Sequence, residues 1–490
     1  MSIKWLEKLW KQGKKPAMNK TKNIHFLGVK GVGMTPLAII AKEAGFKVTG
    51  CDIDEEFITD IALRKAGIEV FKNFSPLHLK DVDLLITTGA HQGFDNPEVK
   101  EAKKLGIKVW TQGQAAGEFM KGDIFGRKME GISIAGSHGK TTTAAMIATI
   151  LKVNSQDPSF LIGTGEISSL GAPGHYGKGR YFVAEADEYA TEPKYDKTPK
   201  LLWQKPTIAV ITNIEFDHPD LYASEEEIEK VFLRFVNNLP ENGMIVANGD
   251  DRKVKKLLSA YKGKRITYGL SESNDFYIQR YTISGDKMFF WVKNKSILIG
   301  EFSIGVVGEH NAVNALGALV TALETGISIE QARRGLSGFK GSKRRSEYIG
   351  KLASGALLYD DYAHHPTEIT QTLSAFRKTF PKERIICIFQ PHTYSRTKSL
   401  FEQFSSSFKD ADIAILTNIY PSLREEKDDT VSSELLAGSV AKFNKNVLYL
   451  PELSDVVEYI DKNSFGKDTV LISMGAGNVY KISEKLSLIK

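Results

Sequence analysis

Short apolar runs alternate with segments of helical period along most of this chain. The first run, residues 23–27, leads through glycines into a segment with apolar residues at Leu37, Ile40 and Ala44, and the next apolar run ends at Asp52. A strand, a tight turn, a helix and a second strand in this order predict a parallel sheet. The alternation then continues through further apolar runs, such as "DLLITTGA" and "KVWTQ".

The alternating pattern restarts twice, at "GISIAGSHGKTTTAAMIATIL" and near residue 355. A chain of 490 residues exceeds what one hydrophobic core usually supports. We therefore predict an α/β protein of three domains. These are a Rossmann-like N-terminal domain (23–128), a central domain similar to P-loop ATPases (129–343) and a Rossmann-like C-terminal domain (344–490).

Residues 1–22 precede the first predicted strand and are expected to form a flexible leader. Lysines interrupt their apolar residues every few positions, so no continuous apolar core of a signal peptide is present. We expect a cytoplasmic protein with no integral membrane span. An amphipathic helix that touches a membrane surface is the alternative for this segment.

Composition excludes several classes of protein. Hydrophobic residues make up 42% and charged residues 25% of the chain, which is typical of packed globular proteins. A formal charge of +6 with scattered basic residues gives no support to nucleic-acid binding. The two cysteines, Cys51 and Cys387, are far apart in apolar surroundings and are expected to be buried thiols, without a disulfide or a cysteine-based metal site.

The first glycine turn contains Gly28, Gly31 and Gly33. Glycines at the start of a helix let the backbone approach a pyrophosphate, which the unpaired N–H groups and the helix dipole favour. Lys30 stands where the second glycine of a dinucleotide-binding fingerprint would be. The pattern therefore fits a nucleotide site and a merely tight strand–helix turn equally well.

The central loop, "GSHGKTTTA", carries a stronger signal. Gly136, Ser137, His138 and Gly139 precede a lysine and threonines after a predicted strand, although Ile134 replaces the first glycine of the usual phosphate-loop pattern. Backbone N–H groups of this loop are expected to face phosphates, with Lys140 balancing their charge. A hydroxyl of Thr141 or Thr142 is expected to bind Mg²⁺.

Acidic residues follow the next predicted strand. Glu185, Asp187 and Glu188 end the run "YFVAEADE", and His218 follows the run "TIAVITNIEFD". The carboxyl ends of parallel strands meet at one edge of a sheet, so these groups should converge on the phosphate loop. Carboxylates gathered in this way favour a bound cation.

In this order, the segments "GSHGKTTTA", "AEADE", "NIEFDH", "GEHNAVNA", "GFKGSKRRSE", "DDYAHHPTE", "FQPHTYSRT" and "GAGN" resemble the ATP-dependent Mur ligases of peptidoglycan precursor synthesis. The resemblance covers the chain from about residue 23 and implies a ligase that activates a carboxylate with ATP and couples it to an amine.

The resemblance also implies a role for individual residues. Lys140, Glu185 and His218 would be catalytic, and Thr141, Glu185 and His218 would bind Mg²⁺. Asn311, Arg345 and Asp361 would join the phosphate loop in binding ATP. Gly28, Gly31, Gly33 and Asp52 would bind the UDP-sugar, and His365, His392 and Arg396 would bind the amino acid.

Two amines remain open within the family. The C-terminal motifs resemble the members that add L-alanine to UDP-N-acetylmuramate, which makes L-alanine the expected partner of that sugar nucleotide. However, Tyr189 and the insertion at 190–206 resemble members that attach the preformed tripeptide L-Ala-γ-D-Glu-diaminopimelate during cell-wall recycling. Thr393 also stands where some relatives have an arginine.

Other classes of function stay open with less support. A non-catalytic nucleotide-binding regulator with the ligase fold would be expected to have lost Lys140, Glu185 or His218, and this chain keeps all three. A nicotinamide-dependent dehydrogenase would leave the second phosphate loop unexplained. The expected assembly is a monomer or a homodimer.

Overall fold

The computed structural model describes residues 21–421 and 425–488. The expected leader, residues 1–22, lies outside the described residues except for its last two. Within the described part of the chain, no helix is both long and apolar enough to cross a membrane.

The N-terminal domain contains a five-stranded sheet in the order β3-β2-β1-β4-β5, and all its neighbouring strands are parallel. Its strands are β1 (Asn23–Leu27), β2 (Lys47–Cys51), β3 (Glu69–Phe71), β4 (Leu84–Thr87) and β5 (Lys108–Thr111). Its helices are α1 (Thr35–Glu43), α2 (Asp60–Lys65), α3 (Pro97–Lys104) and α4 (Gln112–Lys121). This strand order is that of a Rossmann-type sheet.

The central domain is built on a ten-stranded sheet in the order β17-β16-β15-β14-β13-β12-β6-β9-β7-β8. Its strands are β6 (Glu130–Ala135), β7 (Ser159–Leu161), β8 (Gly174–His175), β9 (Tyr181–Ala186), β12 (Ile208–Ile211), β13 (Met244–Asn248), β14 (Lys264–Gly269), β15 (Phe276–Ser284), β16 (Lys287–Asn294) and β17 (Ile297–Ile304), with β10 (Ala190–Glu192) and β11 (Asp196–Pro199) forming a separate hairpin. Its helices are α5 (Lys140–Val153), α6 (Glu225–Asn237), α7 (Arg252–Ala260), α8 (Glu309–Glu324) and α9 (Ile329–Ser337).

Two parts of the central sheet differ in direction. The strands from β14 to β7 around the phosphate loop are parallel, whereas β15, β16 and β17 form an antiparallel meander. Helices α5 and α8 pack against each other, and their apolar residues share one buried core with the strands. The parallel part therefore holds the loop rigidly at its carboxyl edge.

The C-terminal domain has a six-stranded sheet in the order β18-β19-β23-β20-β21-β22, parallel except for β18. The strands are β18 (Glu347–Lys351), β19 (Leu357–Asp361), β20 (Arg384–Phe389), β21 (Ile413–Leu416), β22 (Val447–Tyr449) and β23 (Thr469–Met474). The helices are α10 (Pro366–Thr379), α11 (Tyr394–Ser399), α12 (Phe401–Ser405), α13 (Ser433–Val440), α14 (Leu453–Asn463) and α15 (Tyr480–Leu488). The predicted architecture of three α/β domains is thereby confirmed.

The N-terminal and central domains are joined by a shared core. Met34 and Leu37, at and after the start of α1, pack in one cluster with Phe182 and Ala184 of β9. Apolar burial is the main favourable contribution to such packing. The first glycine turn and the central loop are therefore held in a defined relation to each other.

Candidate active site

The central loop connects β6 to α5 and is fixed by residues that follow β12. The N–H of His138 donates to Asn213 Oδ1 at 2.8 Å, and Thr212 Oγ1 donates to the carbonyl of His138 at 2.6 Å. Gly136 and Gly139 have φ of 143° and 82°, and a Cβ at Gly136 would lie 2.0 Å from Thr212 Oγ1. Only glycine fits these positions without strain, so the loop keeps its backbone close to the sheet edge.

Lys140 is the first residue of α5, and its ammonium group lies among acidic side chains. Nζ donates to Glu188 Oε2 at 2.9 Å and to the carbonyl of Gly136 at 2.5 Å. Burial opposes the charged form, but Glu188 and Asp187 raise the pKa of Lys140 above its ordinary value. The lysine therefore stays cationic beside the loop that is predicted to bind phosphate.

Thr141 and Glu185 lie together, as the predicted metal site requires. Thr141 Oγ1 donates to Glu185 Oε2 at 3.1 Å, and the N–H of Gly163 donates to Glu185 Oε1 at 2.6 Å. Burial raises the pKa of Glu185 in spite of these donors and of the charges of Arg345 and Lys140. A buried carboxylate whose negative charge is not fully balanced by its protein partners is well suited to bind a cation.

His218 lies with two carboxylates that the predicted metal set omitted. One ligand atom from each of His218, Asp187 and Glu188 lies within 4.8 Å of the others. His218 has φ of 58°, a left-handed conformation that is uncommon outside glycine and that clusters at functional sites. The run "EADE" was the signal for these acidic residues, but sequence alone did not indicate which of them would meet His218.

Most residues predicted to bind ATP line one cavity of about 400 Å³ between the central and C-terminal domains. They are His138, Gly139, Thr142, Asn311, Arg345 and Asp361. Asn311 Nδ2 donates to the carbonyl of Val307 at 2.7 Å, and Asp361 accepts from the N–H of Ser346 at 2.6 Å. Sequence reasoning missed Asn248, Asp250 and Tyr268 on the same cavity; the first two follow an apolar run, which was an available signal.

Arg345 links the C-terminal domain to the phosphate loop. Its Nη2 donates to Thr141 Oγ1 at 3.3 Å. Thr367 Oγ1 of α10 also donates to Glu215 Oε2, which follows β12, at 2.6 Å. The domains are thus closed over the loop, which limits the access of water to its phosphate-facing side.

Of the residues predicted to bind the amino acid, His392 and Arg396 lie together. Arg396 Nη1 is 3.2 Å from His392 Nδ1, and its Nε donates to Asp217 Oδ1 at 2.8 Å. Burial acts against ionisation of Asp217, but Arg396 lowers its pKa well below the usual range. Asp217 was missed by sequence reasoning because its partner is 179 positions away.

The structure places His365 beside the phosphate loop. Its ring centroid lies 4.7 Å from that of His138, and its Nε2 is 3.3 Å from the carbonyl oxygen of Phe216. Its neighbour His364 is the histidine beside His392, with ring centroids 6.1 Å apart. A role for His365 in amino-acid binding stays a prediction.

His138 has an unusual environment for a phosphate-loop residue. Its Nδ1 and Nε2 lie 3.2 Å from Glu368 Oε1 and 3.4 Å from Glu215 Oε2, within ion-pair distance but without the orientation of a hydrogen bond. Burial favours the neutral ring, yet Glu368 and Glu215 raise the pKa of His138 to about 10. A protonated His138 adds positive charge to the loop.

The N-terminal glycine turn is organised by Asp52. The N–H of Lys30 donates to Asp52 Oδ2 at 2.8 Å, and the Lys30 ammonium donates to the carbonyls of Ile53 and Glu55 at 3.2 and 2.6 Å. Gly28 has φ of 74°, and a Cβ there would lie 2.5 Å from Thr88 Cγ2. Gly31 and Gly33 lie in the same turn, so the four predicted sugar-nucleotide residues are close in space.

The insertion at 190–206 contacts both the N-terminal domain and the acidic cluster, since Lys200 Nζ donates to Asp187 Oδ2 at 2.8 Å. Glu192 Oε1 accepts from the N–H of Phe94 at 3.4 Å, and a Cβ at Gly117 would lie 2.2 Å from the carbonyl oxygen of Trp203. Trp203 Nε1 donates to Thr191 Oγ1 at 2.9 Å within the insertion. Tyr189, just before it, approaches His218 edge-on with ring centroids 4.8 Å apart.

Three family descriptions match successive parts of the chain. "Mur ligase family, catalytic domain" matches residues 23–123, "Mur ligase middle domain" residues 134–322, and "Mur ligase, glutamate ligase domain" residues 344–477. Together they span the three sheets.

Similar proteins extend over nearly the whole chain. The UDP-N-acetylmuramate–L-alanine ligase of Acetivibrio thermocellus is 39% identical, with 95% of this chain and 96% of that protein covered. That of Geobacter sp. strain M21 is 38% identical, with coverage of 96% and 98%.

Two solved structures are also similar. The UDP-N-acetylmuramate-alanine ligase of Thermotoga maritima has a TM-score of 0.79 at 26% identity, with 95% of this chain and 98% of that chain covered. The murein peptide ligase of Psychrobacter arcticus has a TM-score of 0.70 at 25% identity, with coverage of 96% and 98%.

Proposed function

This chain belongs to the Mur ligase family, and from that premise we propose that it joins L-alanine to UDP-N-acetylmuramate. The reaction consumes ATP, forms an amide with the lactyl carboxylate of the sugar nucleotide, and releases ADP and phosphate. It belongs to peptidoglycan precursor biosynthesis.

The observation that carries this proposal is that one threonine of the central domain is in contact with the C-terminal domain. Thr141 of the phosphate loop donates to Glu185 and accepts from Arg345 of the C-terminal domain. A loop that binds the phosphates of ATP, a cation site and a closing arginine are the parts that phosphoryl transfer requires. Transfer to a carboxylate gives an acyl phosphate, which the closed domains would protect from water.

The groups around the phosphate loop would have separate roles in the reaction. Backbone N–H groups of residues 136–139 and the Lys140 ammonium would balance the charge that develops during transfer of the γ-phosphate. Arg345 would add a positive charge from the opposite side of the loop. The amine would then attack the acyl carbon, and phosphate would leave with the bonding electrons.

Mg²⁺ is part of the proposal. Thr141 and Glu185 offer adjacent oxygen atoms, and the cluster of Asp187, Glu188 and His218 offers a second set. These donors fit a divalent cation because oxygen ligands predominate. When bound, Mg²⁺ would neutralise phosphate charge.

The choice of L-alanine over the tripeptide rests on two points. The curated relatives at 38–39% identity are named as L-alanine ligases. Buried Arg396 and partly buried His392 form a pair in the C-terminal domain, which suits the carboxylate of a small amino acid. The insertion does not favour either amine, because Glu192 contacts the N-terminal domain while Lys200 Nζ donates to Asp187 Oδ2 of the His218 cluster at 2.8 Å.

A non-catalytic regulator is the remaining candidate of another class. The grouping of Lys140, Glu185 and His218 with further carboxylates argues against it, because gathering like charges in a partly buried cluster is costly unless they serve a site. A cytoplasmic location and a monomeric or homodimeric state stay predictions.

The test is phosphate release from ATP in the presence of UDP-N-acetylmuramate and Mg²⁺. L-alanine, L-serine, glycine and the L-Ala-γ-D-Glu-diaminopimelate tripeptide are offered in turn, and product masses are measured. We expect the highest kcat/KM with L-alanine. Preference for the tripeptide would replace the proposal by the recycling reaction, and the absence of turnover with every amine would support the regulator.

A further inference from the structure

A separate cluster of metal-ligating side chains is buried in the N-terminal domain. His25 comes from β1, Cys51 from the end of β2, Glu98 from the first turn of α3 and His78 from a short 3-10 helix. One ligand atom from each lies within 4.8 Å of the others. None of the four lines the nucleotide cavity.

Three of the donor atoms form a nearly equilateral triangle. His25 Nε2 lies 3.3 Å from Cys51 Sγ and 3.2 Å from Glu98 Oε2, and that oxygen lies 3.3 Å from the sulfur. Zinc binds such donors tetrahedrally at about 2.0 to 2.3 Å, which separates neighbouring donors by roughly 3.3 to 3.6 Å. The triangle thus has close to the size of one face of a zinc site.

The surrounding groups orient the donors as outer partners do in metal sites. His25 Nδ1 lies 2.8 Å from Thr49 Oγ1, and a proton donated there leaves the lone pair on the Nε2 that faces the cluster. The N–H of Ser75 donates to Glu98 Oε1 at 2.8 Å, which leaves Oε2 for the cluster. His78 stacks on Phe71 with ring centroids 4.2 Å apart.

Charge also favours a divalent ion. A Cys51 thiolate and the Glu98 carboxylate together balance two positive charges, and two neutral imidazoles complete four donors. The side chains of His25 and Glu98 are fully buried, so a site whose ion and ligands sum to zero charge avoids the cost of an uncompensated charge. Thiolate and imidazole ligands select zinc over magnesium or calcium.

We propose that His25, Cys51, His78 and Glu98 form a structural zinc site. Binding releases the thiol proton of Cys51 to solvent and exchanges the hydrogen bond between His78 and Glu98 for a bond to the metal. The side chain of His78, at 11% exposed, is the route by which the ion enters. Cysteine counting predicted no such site, because its four ligands are spread over more than 70 positions and form no short motif.

The site would stiffen the predicted sugar-nucleotide turn. The N–H groups of Gly28 and Val29 both donate to the carbonyl of Cys51, at 2.9 and 3.1 Å. Asp52, which holds the backbone of Lys30, follows directly. An ion bound to Cys51 would therefore fix the strand end on which that turn rests.

The experiment measures zinc in the full-length protein without a histidine tag. Zinc content is determined by mass spectrometry after dialysis, and zinc affinity by competition with a chromophoric chelator. Cobalt is then substituted for zinc in wild type, Cys51→Ala and Cys387→Ala. Cys387 is the matched control, since it is an equally buried cysteine on a strand of another domain.

We expect about one zinc per chain and a thiolate-to-cobalt charge-transfer band in wild type and Cys387→Ala. Cys51→Ala should lose the band and bind zinc at least roughly 10- to 100-fold more weakly, the range for loss of even an outer-shell partner. Glu98→Gln, which keeps the shape of the side chain, should also weaken zinc binding. Circular dichroism and melting curves establish that each variant is folded.

Two results would overturn the proposal. Wild type that binds no zinc at micromolar free metal would make the cluster a metal-free hydrogen-bonded network. A charge-transfer band that survives in folded Cys51→Ala would place the ion elsewhere. If Cys51→Ala does not fold, the wild type alone decides the question. Bound zinc with the cobalt charge-transfer band supports the proposal, and the absence of both overturns it.

Discussion

Two loops of this molecule share a local pattern, since each links a parallel strand to a helix through glycines and carries a lysine. One is the turn after β1, with Gly28 and Lys30, and the other is the loop after β6, with Gly136 and Lys140. In both, positive φ angles at glycine bring the backbone close to a neighbouring strand. The pattern alone would give the two lysines the same role.

The lysines differ in what surrounds them. The Lys30 ammonium donates to the carbonyls of Ile53 and Glu55, which come from its own domain's next loop. The Lys140 ammonium donates to Glu188, and the charges of Asp187 and Glu185 also act on it. The hydrogen bonds of Lys30 thus go to backbone carbonyls, with one carboxylate, Asp60, at 3.6 Å, whereas Lys140 donates directly to a carboxylate and lies among several.

The difference arises from which group of each lysine the adjacent acidic residues reach. Acidic residues follow both β2 and β9, but Asp52 accepts from the backbone N–H of Lys30, whereas Glu188 accepts from the ammonium of Lys140. A lysine in a glycine loop is therefore informative about chemistry only together with the ends of the adjacent strands. Substitutions in the two loops can test this comparison.

The largest expected effect is at Lys140. Lys140→Met keeps the apolar stem and removes the charge, and kcat should fall at least about 10²- to 10³-fold, as when one transition-state donor is lost. Steady-state phosphate release measures kcat. Lys152→Met on the same helix, where the lysine donates to the carbonyl of Leu170, is the control and should retain activity. A near-normal kcat in folded Lys140→Met would show that Lys140 does not stabilise the transferred phosphate.

The next effect is at Glu185. Glu185→Gln keeps an acceptor for Thr141 but removes the charge, so the Mg²⁺ concentration for half-maximal rate should rise roughly 10- to 100-fold. A magnesium titration of the rate measures this. Glu166→Gln is the control, because Glu166 pairs with Lys65 at the surface. An unchanged magnesium requirement would exclude Glu185 as a ligand.

Sequence predicted the strand–loop–helix form of these two loops because its determinants are local. The strand, glycines, lysine and threonines of the central loop are consecutive, and the acidic run follows one strand later. Parallel strands bring such ends together by topology alone. The three α/β domains were predictable for the same reason.

The contacts between domains were not predictable, since they depend on how the domains close on each other. Arg396 meets Asp217 across 179 positions, and Arg345 meets Thr141 across 204. The antiparallel meander of β15 to β17 was also missed, because its strands lack the strand–loop–helix alternation on which the fold prediction rested. Pairing of this kind is set by tertiary contacts rather than by local pattern.

A smaller effect is expected where the C-terminal domain is proposed to bind the amino acid. Arg396→Lys keeps a charge beside Asp217 but loses the planar fork that matches a carboxylate. The KM for L-alanine should rise about 10-fold or more, since hydrogen bonds to charged groups contribute about 1.5 to 3 kcal/mol. Arg377→Lys, which removes a guanidinium paired with Asp412, is the control. An unchanged KM would remove Arg396 from the amine site.

The smallest effect is expected at the first loop. Lys30→Met removes the ion pair with Asp60 and the hydrogen bonds to Ile53 and Glu55, which contribute about 0.5 to 1.5 kcal/mol each, so the KM for UDP-N-acetylmuramate should rise by up to about 10-fold. The kcat should stay near that of wild type, because Lys30 belongs to the first glycine turn and not to the loop that is proposed to bind the transferred phosphate. Initial rates at varied sugar nucleotide separate the two constants. A fall in kcat as large as that of Lys140→Met would mean that both lysines serve the chemistry and that the contrast between the loops is wrong.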